Sequence, residues 1–390
     1  MPAPPSPKDF QIRIIRTFKE LEPHAEAWDN LALQSPQQLP DLSYAWTVSH
    51  LEHQLTPTES WFCLLAYDRS SLVGVLPVVT TLQKRMGMNR TCFRTPYNDQ
   101  TASIDFLIQR GREEEVIPLF IAQLPAIDPA WFSFEMRHLP DGSPSLAMLG
   151  RGIMGIKSVA GSDGWGCFIR VRGSVEELQK KLKPNFKKNL RKAEHKFLSL
   201  KDAKLSFVSG EAHSEEALRR FIEVEKASWK FDQGSAIIQS DSLVSFYKAL
   251  TGRLGDLGWL EWQFLEAEGK ALAALMTIRV NRSLVALKIC FDEAYAAFSP
   301  GIYLLAKTVE RAFASGRVAE VNLLTDYPWF YHWPVEKRSY YNITMFPSRF
   351  FPLFAGYYWM MIRLKSGRIS ALRRLHDVWR RLSGDPIKDG

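Results

Sequence analysis

One arrangement of apolar runs occurs twice in this chain, and nothing else in the sequence limits the fold as strongly. Residues 61–67 form a strand-like run, 68–71 (Asp-Arg-Ser-Ser) a polar turn, and 72–82 a second run rich in β-branched residues. Residues 259–266, the turn 267–270 (Ala-Glu-Gly-Lys) and residues 271–280 repeat that order. Both stretches predict β-hairpins. The segments after the two hairpins also correspond: a strand over 102–108, a helix over 112–124 and a strand over 131–136 in the first half, and 283–290, 300–314 and 319–324 in the second. A chain of 390 residues exceeds what one hydrophobic core usually serves. The pattern therefore predicts two tandem α+β lobes, each strand, strand, strand, helix, strand. No residue-level identity accompanies the match, so two unrelated α+β domains are the competing reading.

Between the halves, residues 174–203 predict a linker helix. Ser174 with Glu177 three residues on has capping-box spacing, and Leu178, Leu182, Phe186, Leu190, Ala193 and Phe197 recur on one face. Pro184 should kink or split it. The polar face carries Lys180, Lys181, Lys183, Lys187, Lys188, Arg191, Lys192 and Lys196 against Glu194. Such a face suits RNA backbone or lipid head groups, or is simply solvated. The net charge of +8 favours the same anionic partners, or a nucleotide phosphate, without choosing among them. Cys63, Cys92, Cys167 and Cys290 lack zinc or disulfide spacing and read as buried thiols, with no metal site expected. The proline-rich start, residues 1–8, predicts a disordered tail and carries no secretory signal pattern, so a cytoplasmic location is expected.

Ser299-Pro300-Gly301 marks a helix start, with serine as N-cap and proline at the first helical position. Ile302, Leu305, Val309 and Phe313 share a face, and Ser315-Gly316 ends the helix. Its N-terminus offers free N–H groups, and Gly301 has no side chain to block a pyrophosphate. Many helices begin this way without a ligand.

The order of features from Asn185 to Trp333 resembles the CelD-like branch of the GNAT acetyltransferases, relatives of the Fem-type peptidyltransferases. The matching residues are the basic helix at Asn189 to Lys192, the pair Ser228-Trp229, the pair Phe291-Asp292 and the helix start Ser299 to Leu305. The half containing Trp28, Trp46 and Val75-Leu76-Pro77 is similar to that family's degenerate first lobe. The resemblance, which covers roughly residues 10–345, implies a GNAT-like lobe over 9–173 and a GNAT lobe with an acyl-CoA site over 204–345, on either side of the basic linker helix over 174–203 and ahead of an amphipathic tail over 346–390. Their mixed, mostly antiparallel sheets would be flanked by helices. The sequence departs from the family where a Tyr-Lys pair is usual: the lysine is replaced by Phe330.

What the resemblance implies chemically is acyl transfer from a coenzyme A thioester to an amine-bearing acceptor, an envelope sugar, a lipid or an amino-acid-like amine. Acyl-CoA is then a co-substrate, with no permanently bound cofactor. A strand-edge N–H near Lys288 to Cys290 would hold the oxyanion. The coenzyme end is expected at Cys290, Ser299, Gly301, Ile302, Tyr303 and Lys307. Deprotonating an amine requires a base, for which Asp326 is the first candidate, with Asp292, His332 and Glu225 behind it. Tyr303 and Tyr327 are candidates to protonate the leaving thiolate. Trp229, Trp329, Tyr331 and Trp333 are the expected acceptor-side aromatics. Carboxylates and tyrosines in such places also serve only as caps, and tryptophans as core.

Residues 350–362 are uncharged and too few to span a bilayer. After them Ile369, Leu372, Leu375, Trp379 and Leu382 share a face opposite Arg368, Arg373, Arg374, Arg380 and Arg381. This predicts an interfacial helix holding the protein peripherally on the inner face of the inner membrane, or an element that packs across the lobes or forms an oligomer contact. Two other functions compete: a Fem-type transferase using aminoacyl-tRNA, with the basic helix as RNA contact, and a catalytically silent GNAT-fold binding protein in envelope polysaccharide synthesis.

Overall fold

Both predicted hairpins form, and they form alike. The computed structural model describes residues 10–350, apart from 38, 86, 154 and 211–213. The predicted tail beyond Phe350 and the terminal segment 1–8 lie outside the described residues. In chain order the first lobe runs β1 (Phe10–Ile15), α1 (Phe18–Leu21), α2 (Ala25–Gln34), α3 (Tyr44–His53), β2 (Ser60–Asp68), β3 (Ser71–Arg85), β4 (Met88–Arg94), β5 (Leu107–Ile108), α4 (Glu113–Ile127), β6 (Ser133–Pro140), α5 (Pro144–Arg151) and β7 (Ile156–Arg170). Next come α6 (Val175–Lys181), α7 (Pro184–Leu198), β8 (Lys204–Ser209), α8 (Ser214–Lys226), α9 (Trp229–Asp232), α10 (Asp241–Asp256), β9 (Leu260–Ala267), β10 (Lys270–Val280), β11 (Ser283–Phe291), α11 (Pro300–Ser315), β12 (Glu320–Asn322) and β13 (Val335–Pro347).

The duplication extends to irregularities. Arg69 and Glu268 both adopt positive φ in the hairpin turns. In each hairpin the third residue of the second strand is bulged: Val73 between the pairs Leu72↔Tyr67 and Gly74↔Ala66, and Leu272 between Ala271↔Glu266 and Ala273↔Leu265. Each lobe also has one short parallel pair flanking a crossover helix, β4 with β6 around α4 and β11 with β12 around α11. The third strand of the first lobe is β4, not residues 102–108. That segment contributes only β5, because its backbone bonds side chains instead of a ladder: the Ala102 N–H donates to Asp41 Oδ1 (2.9 Å) and the Phe106 N–H to Asp105 Oδ1 (2.8 Å).

All strands join one sheet in the order β1-β2-β3-β4-β6-β13-β7-β12-β11-β10-β9-β8, with β5 on β3. The halves exchange their last strands. β13, late in sequence, pairs with β6 of the first lobe, and β7, early in sequence, pairs with β12 of the second. β7 and β13 are themselves antiparallel neighbours, so the middle of the sheet is an interlock.

Pro184 splits the linker helix as expected, standing at the first turn of α7, where its missing N–H costs nothing. Ser174 caps α6 by accepting the Glu177 N–H (3.3 Å). Phe186, Ala193 and Phe197 are buried in the core that α7 shares with α11, while Lys188, Arg191, Lys192 and Lys196 face outward. Strand alternation divides the second lobe's core: Ala273 and Leu275 pack with α7 and α11, Ala274 and Met276 with α8 and α10. The lobes also meet where Trp46 of α3 packs edge-on against Phe246 of α10, with ring centroids 5.7 Å apart.

Candidate functional site

The parallel pair β11·β12 spans only Ser283–Val285 against Glu320–Asn322. Past it β11 runs on to Phe291 with that edge unpaired, which opens a notch. Leu287 is bulged out of register, since Met276 opposes Lys288 and Thr277 opposes Ala286. Downstream of the bulge, Ile289 and Phe291 pack toward α11 while Cys290 packs toward α8 and α10. The Asp292 N–H donates to Leu272 O on β10 (2.8 Å), so alternation directs the N–H groups of Ile289 and Phe291 to the open edge.

Helix α11 begins at Pro300, but Ser299 does not cap it with its side chain. Ser299 is left-handed (φ 53°) and makes no side-chain cap bond. Its carbonyl receives the Tyr303 N–H (3.1 Å), so Gly301 and Ile302 carry the N–H groups without intrahelical acceptors. A Cβ on Gly301 would stand 3.2 Å from the Phe291 ring.

A cavity of ~1000 Å³ fills the notch. Ile289, Phe291, Gly301 and Ile302 line one side and Leu324, Tyr327, Trp329 and Phe330 the other. It extends across the lobe boundary to Tyr97, Gln100 and His138.

A buried charge cluster sits beneath this cavity. Glu225 of α8 is fully buried and lies 3.5 Å from Lys288 Nζ and 3.9 Å from Lys230 Nζ, while its other oxygen accepts the Ile237 N–H (2.7 Å). Oε1, the oxygen nearer the lysines, has no hydrogen-bond partner. Both lysines line the cavity. Burial pushes the Lys288 ammonium below the ordinary lysine range, against the pull of Glu225. Tyr247, buried and held far above the usual phenol range by its burial and then by Glu225, donates to Gln100 of the first lobe (2.7 Å). Lys288 Nζ reaches the same amide oxygen at 3.4 Å.

The first lobe contributes a second constellation. His138 of β6 lines the cavity, and its Nδ1 lies 2.8 Å from Asp163 Oδ2 of β7. Its ring stacks on Tyr340 of β13 (4.2 Å, 16°). Hydrogen bonds from His138 and Asn342 hold the Asp163 carboxyl below its ordinary range although burial opposes this.

The residues expected from sequence divide sharply. Gly301, Ile302, Trp229, Trp329 and Tyr327 line the cavity. Glu225 touches it through Lys288 and Lys230. Cys290 does not face it, because alternation turns its thiol toward α8, where it lies 3.9 Å from Phe221 O. Tyr303 and Lys307 are turned to α7, with Lys307 Nζ 2.8 Å and the Tyr303 hydroxyl 3.2 Å from Glu194 Oε1. Burial pushes Tyr303 up to about 12.

Asp326 is not a cavity residue. It accepts from the Tyr331 hydroxyl (2.5 Å), Lys337 Nζ (2.9 Å) and Cys167 Sγ (3.1 Å). Those bonds, Tyr331's first, hold its carboxyl below the usual range, which suits an anchor and weakens a base. Asp292 accepts the Ala294 N–H (3.0 Å) and pairs with Lys270 (2.8 Å), a turn cap. His332 stacks on Phe186 (4.9 Å), and Trp333 packs edge-on against the same ring (4.7 Å). Tyr331 is spent on the Asp326 cluster. Sequence reasoning named the Lys288 to Cys290 strand edge for its N–H groups but missed the Lys288 side chain, and it missed Tyr247, Gln100, His138 and Asp163 altogether. Lys288 left one signal, a lone cation within the apolar run 284–290. The others left none.

Residues 184–331 match the model of an acetyltransferase (GNAT) domain. Among solved structures, FemX superposes with a TM-score of 0.60 at 10% identity, covering 88% of this chain and 99% of FemX. A conserved protein of unknown function from Bacteroides thetaiotaomicron VPI-5482 superposes at 0.54 with 13% identity, covering 86% of this chain and all of that one (100%). At such identities the likeness is one of fold. No curated protein matches the chain in sequence. The chain carries a GNAT acetyltransferase domain and is an acyltransferase by that domain, and its two lobes share the FemX fold.

Proposed function

We propose, from the GNAT domain over residues 184–331, that this acyltransferase moves an acyl group from a coenzyme A thioester to an amine, with the thioester lying in the β11/β12 notch. The observation that carries the reading is the notch itself. An unpaired strand edge runs along it, and the free N–H groups of Gly301 and Ile302 stand at the start of α11 on its wall. A pyrophosphate is stabilised at that helix start by the unsatisfied N–H groups and the helix dipole. The pantetheine chain would extend along β11 and bond its open edge. The Ile289 N–H is placed to meet the thioester oxygen, which becomes an oxyanion as the amine attacks. Trp329 and Phe330 would enclose the acyl group.

The acceptor enters from the lobe boundary, where Lys288 and Lys230 outnumber Glu225. Those two ammonium groups favour an amine that also carries an anionic group, as an envelope sugar derivative, a lipid or an amino acid would, with Asp99 at the rim left to face the amine. Thermal melting with coenzyme A, acetyl-CoA and a long-chain acyl-CoA tests the donor. A ligand at a hundred times its Kd stabilises by ~2.7 kcal/mol, whereas no shift with any of the three contradicts the reading.

A Fem-type donor, aminoacyl-tRNA, is favoured by one observation, the outward cationic face of α7. Salt-sensitive tRNA binding, weakened by changing Lys188, Arg191 and Lys192 to glutamine, would support it. Among the described residues no helix is long and apolar enough to cross a membrane. Attachment through the tail, residues 346–390, remains part of the proposal. Equal flotation with anionic vesicles of the full chain and one ending at Ser348 would count against it.

A further inference from the structure

We propose that His138, oriented by Asp163, is the general base that deprotonates the acceptor amine, so that the first lobe supplies the acid–base chemistry for a thioester held by the second. The proposal rests on acyl transfer in the notch.

Its foundation is a coincidence of irregularities in the middle of the sheet. His138 has φ 59° inside β6, a conformation a non-glycine strand residue rarely adopts. Beside it β13 breaks register twice, between Tyr341 and Ile343 against β6 and between Ser339 and Tyr341 against β7. On β7, Gly164 follows Asp163 at φ 96°. Three adjacent strands are thus distorted at one level, and bulges of this kind re-aim side chains.

The distortion is held in place. The His138 N–H donates to Asn342 Oδ1 (3.0 Å), and its carbonyl receives the Ser103 hydroxyl (2.6 Å) and the Ile104 N–H (3.4 Å). The effect is to lay the imidazole flat over Tyr340 and carry Nδ1 across β13 to Asp163. With Nδ1 donating to that carboxylate, the tautomer leaves Nε2 with its lone pair free. Nε2 makes no hydrogen bond among the described residues, and the ring lines the cavity. The groups around it are Asp163 on β7, the buried Tyr340 on β13, Arg137 on β6 and Tyr97 on the opposite loop. The other residues considered for this role fail on position: Asp326, Asp292 and His332 lie outside the cavity, and Glu225 is sealed beneath Lys288 and Lys230. Asp99, also in the lining, is an exposed rim residue.

Protons and bonds balance across the step. Nε2 takes one proton from the acceptor ammonium. The freed amine attacks the thioester carbonyl and a C–N bond forms. The nitrogen sheds its second proton as the C–S bond breaks, and that proton ends on the departing thiolate. The imidazolium returns the first proton to solvent, leaving amide, coenzyme A thiol and one released proton.

Asparagine tolerates positive φ, so His138→Asn preserves the backbone while removing the base. With labelled acetyl-CoA and a panel of amines (glucosamine, N-acetyl-lysine, a lysyl lipid), His138→Asn should lower turnover at least a hundredfold, while the coenzyme A melting shift stays as in wild type. Asp163→Asn should lower kcat at unchanged KM for acetyl-CoA, and Asp163→Glu should restore part of it. Wild-type turnover in His138→Asn overturns the proposal. Loss of the coenzyme A shift in wild type itself overturns the donor reading instead. If wild type turns over no panel amine, diethylpyrocarbonate modification decides: coenzyme A should shield His138 from the reagent while exposed His195 reacts as before, and an unreactive or unshielded His138 refutes the assignment.

Discussion

Replacing Glu225 by glutamine perturbs the cavity floor with the least change of shape. The new amide can still accept the Ile237 N–H, but the position of Oε1, 3.5 Å from Lys288 and 3.9 Å from Lys230, then holds either no charge or an amide N–H pointing at two cations. At an effective dielectric of ~20, one unit pair at that shorter distance is worth ~5 kcal/mol. Lys230 is the more exposed of the two and can turn to water more readily than Lys288, whose escape is to lose its proton, toward which burial already pushes it. The expected loss is therefore ~3–5 kcal/mol near pH 6, the range for one partner removed from a buried pair.

Adding Lys288→Met removes the stranded cation, and the double-mutant cycle should return a coupling of ~2 kcal/mol or more. The pH dependence has a definite sign. Lys288 has a folded-state pKa below the ordinary 10.5, and lower still without Glu225. In the window between the two, unfolding takes up a proton, so stability rises with pH. The variant's deficit should shrink as pH rises toward 10.5. Urea denaturation followed by tryptophan fluorescence measures both quantities. A coupling under ~0.5 kcal/mol, or a deficit that does not change with pH, would refute the cluster as described.

Three other outcomes rest on particular contacts. Gly166→Ala would place a Cβ 2.6 Å from Leu324 O and 2.7 Å from Tyr340 Cε2, and because the first is backbone the cost should be ~1–3 kcal/mol, read as a lowered melting temperature. Asp41 is buried, and burial raises its carboxyl from the ordinary 3.8 to about 7. Its protonated form thus adds stability that is full below 3.8 and lost as pH rises through about 7, so Asp41→Asn should gain on wild type between pH 4 and pH 8 by up to ~4 kcal/mol in denaturation experiments (about 7 minus 3.8, at ~1.4 kcal/mol per pH unit). Gly301→Val should reduce affinity for coenzyme A at least tenfold by calorimetry, because a side chain there starts 3.2 Å from the Phe291 ring at the notch.

Features set by local physics were legible in the sequence. The hairpins 61–82 and 259–280 follow from apolar alternation interrupted by turn residues, and the split at Pro184 follows from a missing N–H. The start of α11 at Pro300 follows from proline's fixed φ. Gly301 and Ile302 were found because they sit at that helix start, whereas Trp229, Trp329 and Tyr327 were expected from the family resemblance and the aromatic stretch 326–333. Other site residues depended on register, which local pattern does not encode. Alternation sends Cys290 to the far face, and a one-residue bulge at Leu287 sets which side chains around it face the notch.

Charged and polar candidates were misplaced for a related reason: Asp326 and Asp292 found partners, in Lys337 and Lys270, that only folding brings near. The exchange of β7 and β13 lies beyond any local signal, since β7 pairs with β12 and β13 with β6 across the chain, contacts between segments far apart in sequence. The same exchange brings His138, Asp163 and Tyr340 together from three strands. The sequence by itself thus determined the two-lobed α+β plan and the helix start at the notch, because those depend on spacings of a few residues. The tertiary structure alone decided the Glu225–Lys288 floor and the His138–Asp163 pair, because each is a contact between distant segments whose geometry depends on bulges, register and burial.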